Sequence, residues 1–113
     1  MEYNLEGKVF KSIANTENGE VDGDTLFRYH QDGNHVWAEY AGGSIVHGHL
    51  VAIKQVDGTL EMHYHHINDQ DEVMIGRCTS TPALTAEGKL LFNEQWQWLN
   101  GDKSHGTSKV VEI

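Results

Sequence analysis

The chain has one cysteine and one proline in 113 residues, and only 8 Lys and Arg against 17 Asp and Glu. Each shortage excludes something. The lone Cys78 leaves no intramolecular disulfide and no Cys-rich zinc site, and one thiol in a strand-like run reads as a small apolar residue. A formal net charge of −9 repels phosphate backbones and anionic lipid surfaces, so neither nucleic acid nor a membrane is an expected partner. A spanning helix needs about 20 consecutive apolar residues, and no run approaches that length. The first residues, MEYNLEGKVFKSIANTENGE, lack a basic stretch followed by an apolar one, which makes a cytoplasmic location the expectation. No window carries apolar residues at helical spacing for three turns. There is also no GxSxG elbow and no glycine-rich loop with the Lys and helix that a phosphate site needs, so no catalytic residue and no cofactor is assigned.

Glycine, by contrast, is plentiful, with 12 copies set between short alternating runs. These runs are GKVFKSIAN, TLFRYHQ, HVWAEYA, SIVHGHLVAIK, TLEMHYHHI, EVMIGRCTST, KLLFNEQWQWL and HGTSKVVEI. Their connectors include QDGN, AGGS, QVDGT, NDQD and NGDK, compositions that supply the positive backbone dihedrals of tight hairpins. The region around NTENGEVDGD is the one longer loop, and Pro82 falls in the least strand-like connector. Strands joined by hairpins in chain order predict one all-β domain over residues 1–113. The expected architecture is an eight-stranded antiparallel up-and-down β-barrel with little or no helix, because closure removes both sheet edges. A β-sandwich, the main rival, keeps the same local pairings.

Hairpin length fixes register, and a slip of one residue reverses the faces of a strand. Two-residue loops at Asp32-Gly33, Gly42-Gly43 and Asp57-Gly58 put Tyr29, Tyr40, His47, His49, Tyr64 and His66 on one inner face, with His63 and His65 outside. Were the Asp57-Gly58 loop one residue longer, His63 and His65 would join His47 and His49 in a single cluster. On the later strands, apolarity assigns Val73, Ile75, Arg77 and Thr79, then Phe92, Glu94, Trp96 and Trp98, to the interior. A two-residue loop at Asn100-Gly101 sets Glu94 opposite Thr107.

An eight-stranded barrel is about the size at which the interior is either just filled or holds one small ligand. Inward His47, His49, Tyr64, His66, Arg77, Glu94, Trp96 and Trp98 therefore predict a pocket for a small polar or anionic molecule, held by Arg77 and the imidazoles beside the aromatic rings. The competing account is a structural Arg77–Glu94 ion pair among satisfied core histidines. Imidazoles at i and i+2 of a strand share a face, so His47, His49, His66 and Glu94 form the candidate set of a cupin-like metal enzyme. Chance H-x-H pairs are common in a chain with 8 histidines, and no metal is assigned. Trp37, Val46 and Leu50 are the apolar exceptions on the outer face and make a homodimer contact the expected self-association surface.

The runs NTENGEV, FRYHQDGNHVWAEYAGGSIVHGHLVA, YHHIN, CTSTPAL and EQWQWLNGDKSHGTSKVVEI resemble a family of small bacterial proteins commonly labelled N-acetylglutamate synthase. The usual acetyltransferase fold needs a helix after a strand and an R/QxxGxG/A loop for the acetyl-CoA pyrophosphate, and this chain has neither. GRCTSTPAL and FNEQWQWLNGDKSHGTSKVVEI are also similar to the sixth strand, the Trp-bearing seventh strand and the closing hairpin of avidin and calycin barrels. That resemblance implies the barrel architecture and places Trp96 or Trp98 at the pocket tryptophan. The front half lacks the other ligand-contacting pattern, so biotin is not implied. The leading expectation is a small-ligand-binding barrel rather than an enzyme, with the cupin-like enzyme and a plain interaction module as alternatives.

Overall fold

The computed structural model describes residues 2–113. Eight strands follow the alternating runs: β1 (Val9–Asn15), β2 (Leu26–Asp32), β3 (His35–Gly42), β4 (Ile45–Lys54), β5 (Leu60–Asn68), β6 (Val73–Leu84), β7 (Leu90–Trp98) and β8 (His105–Glu112). Each is antiparallel to its chain neighbour, and β8 pairs back onto β1, so the sheet closes as a barrel. Closure gives each strand a neighbour on both sides and leaves no open sheet edge, which is what the hairpin-rich sequence predicts.

Pro82 is a departure from expectation. It lies inside β6, opposite Phe92, rather than in a connector. The β5 ladder ends at Leu60–Ser80, so at Pro82 the strand has a neighbour on one side only and the missing N–H costs no ladder bond.

Strands β2, β3, β5 and β7 present the predicted inner faces, whereas β4 and β6 are reversed. The turn between β3 and β4 is Gly43-Ser44, because Gly42 pairs with Ile45. A bulge follows, so that Tyr40 pairs with Gly48. The extra residue sends Gly48, Leu50 and Ala52 inward and His47, His49, Val51 and Ile53 outward. Lys54 then pairs with Leu60 across a loop longer than two residues, with Asp57 Oδ1 accepting from the Thr59 N–H and hydroxyl at 3.0 and 2.8 Å. This second one-residue slip cancels the first, which is why β5 keeps its predicted face.

On β6 the inner residues are Gly76, Cys78 and Ser80, with Met74 half-buried beside them, while Val73, Ile75 and Arg77 face out. Small inner residues have a packing reason. A Cβ at Gly48 would lie 2.5 Å from the Tyr40 ring, and one at Gly76 would land on the Tyr64 ring. A barrel this narrow fits large side chains only opposite small ones. The loop after β7 is also one residue longer than predicted, so Glu94 pairs with Ser108 rather than Thr107.

The two barrel ends close differently. At one end the N-terminal segment crosses as a strap, its Leu5 fully buried against Phe10, Phe92, Leu60 and Val110 in the core. Hydrogen bonds from the Tyr3 hydroxyl to Gly58 O (2.6 Å) and from Leu5 N–H to Gln31 Oε1 (2.9 Å) hold it down. At the other end the β1–β2 loop, the long NTENGEVDGD segment, folds over the mouth as a lid. Leu50, expected outside with Trp37 and Val46, is buried in the barrel, so the predicted self-association patch loses one of its three members, while Trp37 and Val46 are exposed.

Candidate functional site: a lidded cavity with a buried carboxyl

Beneath the lid a narrow cavity remains between the strands. It is lined chiefly by Phe27, Tyr29, Tyr40, Tyr64, Trp96 and Trp98, with Leu50 and Met62 completing the apolar wall. The space for the centres of water-sized occupants is about 50 Å³, room for a few waters or one slim ligand.

Glu94 forms the floor. Its position follows from β7 alternation, one inward step above Phe92, and from register that sets it between Ser80 on β6 and Ser108 on β8. Both hydroxyls donate to it, Ser80 Oγ to Oε2 at 2.5 Å and Ser108 Oγ to Oε1 at 3.1 Å. Burial raises the Glu94 pKa above the usual carboxyl value, and the hydroxyl hydrogen bonds only partly oppose that. Cys78 sits alongside, its Sγ 3.6 Å from Ser80 Oγ, with burial pushing the thiol pKa up so that it stays protonated. The Tyr29 and Tyr64 hydroxyls border the same space. Neither hydroxyl has a protein hydrogen-bond partner among the described residues, and neither is a fully buried unsatisfied atom.

The lid is latched by a hydrogen-bonded chain. The Tyr40 hydroxyl donates to His66 Nδ1 (2.9 Å), and His66 Nε2–H donates to Glu20 Oε1 (2.7 Å) on the lid. This tautomer follows from its partners, because an ionised Glu20 can only accept. Burial pulls the His66 pKa down, against the opposing pull of Glu20, and favours the neutral ring. Asn68 Nδ2 also donates to Glu20 (3.2 Å). The two tryptophans finish the seal: Trp96 Nε1–H donates to Asn15 Oδ1 (3.1 Å) and Trp98 Nε1–H to the Asn18 carbonyl (3.0 Å).

Of the predicted site residues, the structure brings Tyr64, His66, Glu94, Trp96 and Trp98 together around the cavity. His47, His49 and Arg77 are placed elsewhere. The β4 bulge turns both histidines to the exterior, where the His49 and His65 rings pair across strands with centroids 6.0 Å apart. Arg77 is exposed and donates to Gln97 Oε1 at 2.9 Å. It reaches neither Glu94 nor the cavity, so both the predicted ion pair and the cationic anchor for an anion are corrected. The four candidate metal ligands are likewise split by the barrel wall, His47 and His49 outside and His66 and Glu94 inside, which removes the cupin-like arrangement.

Asn15, Asn18 and Glu20 were not legible as site residues from the sequence. Their one signal was the unusual length of the loop carrying them. Tyr29 and Tyr40 were placed inside but given no role, and Cys78, Ser80 and Ser108 sit on faces that the register reading reversed.

A closed eight-stranded antiparallel barrel is about the size at which the interior is either just filled or holds one small ligand, and here a small cavity remains inside it. The family model described as "Avidin-like protein" matches residues 3–113, and the chain belongs to that family. No curated protein and no solved structure matches the chain. Nothing found supports the N-acetylglutamate synthase label.

Proposed function

We propose that the protein binds one small polar ligand in the cavity beneath the lid, with Tyr64, His66, Glu94, Trp96 and Trp98 in contact with it or holding the lid over it. The observation that carries this reading is a cavity under the lid bordered by a carboxyl with no counter-charge among its lining residues and by two tyrosines whose hydroxyls have no protein hydrogen-bond partner among the described residues. Polar groups that serve only stability are paired within the fold, and aromatic walls with a few convergent polar groups are the usual make-up of a ligand site. Membership in the avidin-like family is compatible with it. Arg77 on the exterior and Glu94 on the floor favour the polar half of the sequence expectation and speak against an anion.

A fragment screen by NMR tests this, with the indole N–H signals of Trp96 and Trp98 as reporters. Fragments that shift both signals in the native protein, and fail to do so in a Leu50→Phe variant whose larger ring fills the space, support the proposal. Indole signals that respond to no fragment, or respond equally in the filled variant, contradict it. The filled variant is expected to lose about 1–3 kcal/mol of stability, so its folding is verified by circular dichroism.

A further inference from the structure

Two carboxyls border the cavity, and no lysine or arginine does. Their situations differ. Glu20 is engaged by His66 and Asn68 as part of the lid. Glu94 lies on the floor with only neutral donors, the Ser80 and Ser108 hydroxyls, at 2.5 and 3.1 Å. A carboxylate removed from water requires a counter-charge or a full set of hydrogen bonds, and two hydroxyls with the neighbouring Cys78 thiol, a weak donor, supply no charge. The lining is rich in aromatic rings, whose π systems can attract positive charge.

We propose that the cavity takes a small organic cation, an ammonium or amidinium group on a slim apolar body, with the cationic head against Glu94 and the Tyr29 and Tyr64 hydroxyls and the body between the aromatic rings. This rests on the binding reading above and narrows it to one charge class. The raised Glu94 pKa agrees with it, being the mark of a carboxyl whose counter-charge the protein does not supply. Tyr29 and Tyr64 line the same cavity as Glu94. A chain with a net charge of −9 would in addition draw cations toward its surface at low salt.

Three probes of one size and different charge test the proposal: butylammonium, butanol and butyrate, titrated while the Trp96 and Trp98 indole signals are followed. The expected result is saturable binding of butylammonium, about tenfold or more tighter than butanol or butyrate. In Glu94→Gln, which keeps the shape and removes the charge, butylammonium should fall to the level of butanol. Butanol or butyrate binding as tightly as butylammonium in the native protein overturns the cation assignment and leaves the cavity as a binding site. An unchanged butylammonium preference in a folded Glu94→Gln protein overturns the role of Glu94. If none of the three moves the indole signals while larger fragments do, the cation assignment fails for this cavity. If no fragment of any kind moves them, the binding reading fails with it.

Discussion

At the strap end of the barrel, Leu5, Phe10, Leu60 and Phe92 are completely buried, and the Phe10 and Phe92 rings lie 5.6 Å apart. At the lid end the rings are as numerous, with Trp96 and Trp98 5.5 Å apart and Tyr64 beside Trp98, but they surround open space and a buried carboxyl. The same fold thus closes one end with a buried apolar side chain backed by hydrogen bonds, and the other chiefly with hydrogen bonds. Apolar closure excludes water and is strong, whereas a hydrogen-bonded lid exchanges protein bonds for water bonds at little net cost and can open. The difference separates the tightly packed half of the barrel from the half that contains the cavity.

The largest expected effect lies at the strap end. Phe92→Ala should lose about 3–5 kcal/mol in urea unfolding, since its cavity would be surrounded by a rigid sheet and the packed strap. Leu5→Ala should follow with about 2–4 kcal/mol, removing the fully buried side chain of the strap. A loss for either no larger than that of a lid residue would erase the contrast between the ends.

At the lid end, Glu20→Ala removes the acceptor of His66 Nε2 and of Asn68, with an expected global cost of about 1–2 kcal/mol. Its clearest effect should be local. Hydrogen exchange at the lid amides that close turns, Gly19 onto Thr16 and Thr25 onto Asp22, should accelerate while exchange in β5 and β6 stays slow. Equal acceleration throughout the barrel would mean that the lid is part of the core.

Glu94→Gln should act in the opposite direction. The Glu94 pKa is raised above the ordinary value of 4.5, so the folded protein binds that proton more tightly than the unfolded chain. Its contribution to stability is therefore complete below the ordinary value and is lost as pH rises through the raised one. At neutral pH the Gln variant, still able to bond Ser80 and Ser108, should be the more stable protein, read as a higher Tm. The same substitution should flatten the fall of stability with pH across that window. A residue that costs stability and organises an open cavity is the pattern expected where function opposes packing.

Much of the architecture could be read from the sequence, because eight alternating runs with glycine-bearing connectors have few other solutions. What could not be read was register. At Gly42-Gly43 the dipeptide marks a turn but not the bulge that follows it, and at Asp57-Gly58 it does not mark the loop's length; the two one-residue errors reversed β4 while leaving β5 correct. On β6, counting apolar residues failed for another reason: Gly76 and Ser80 are inside because Tyr64 and Glu94 project toward them from neighbouring strands. That constraint belongs to the closed barrel, not to the run EVMIGRCTST. The same limit hid the site. Glu94, Trp96 and Trp98 were found by alternation alone, whereas Glu20 meets His66 from 46 positions away, through a loop whose path no local signal specifies.

Gly76→Ala offers a smaller probe of the same packing. Its methyl group should push the flexible end of the Tyr64 ring into the cavity, reducing ligand binding at a modest cost in stability. Unchanged binding would show that Tyr64 does not border the occupied space.

The enclosed carboxyl is tested most directly by a carbon-detected NMR titration of the Glu94 side chain in the free protein and with butylammonium bound. The account predicts a pKa above 4.5 in the free protein that falls when the cation is present. An ordinary or depressed value in the free protein, unmoved by the cation, would show that Glu94 already has its counter-charge or lies open to water, and would contradict the account.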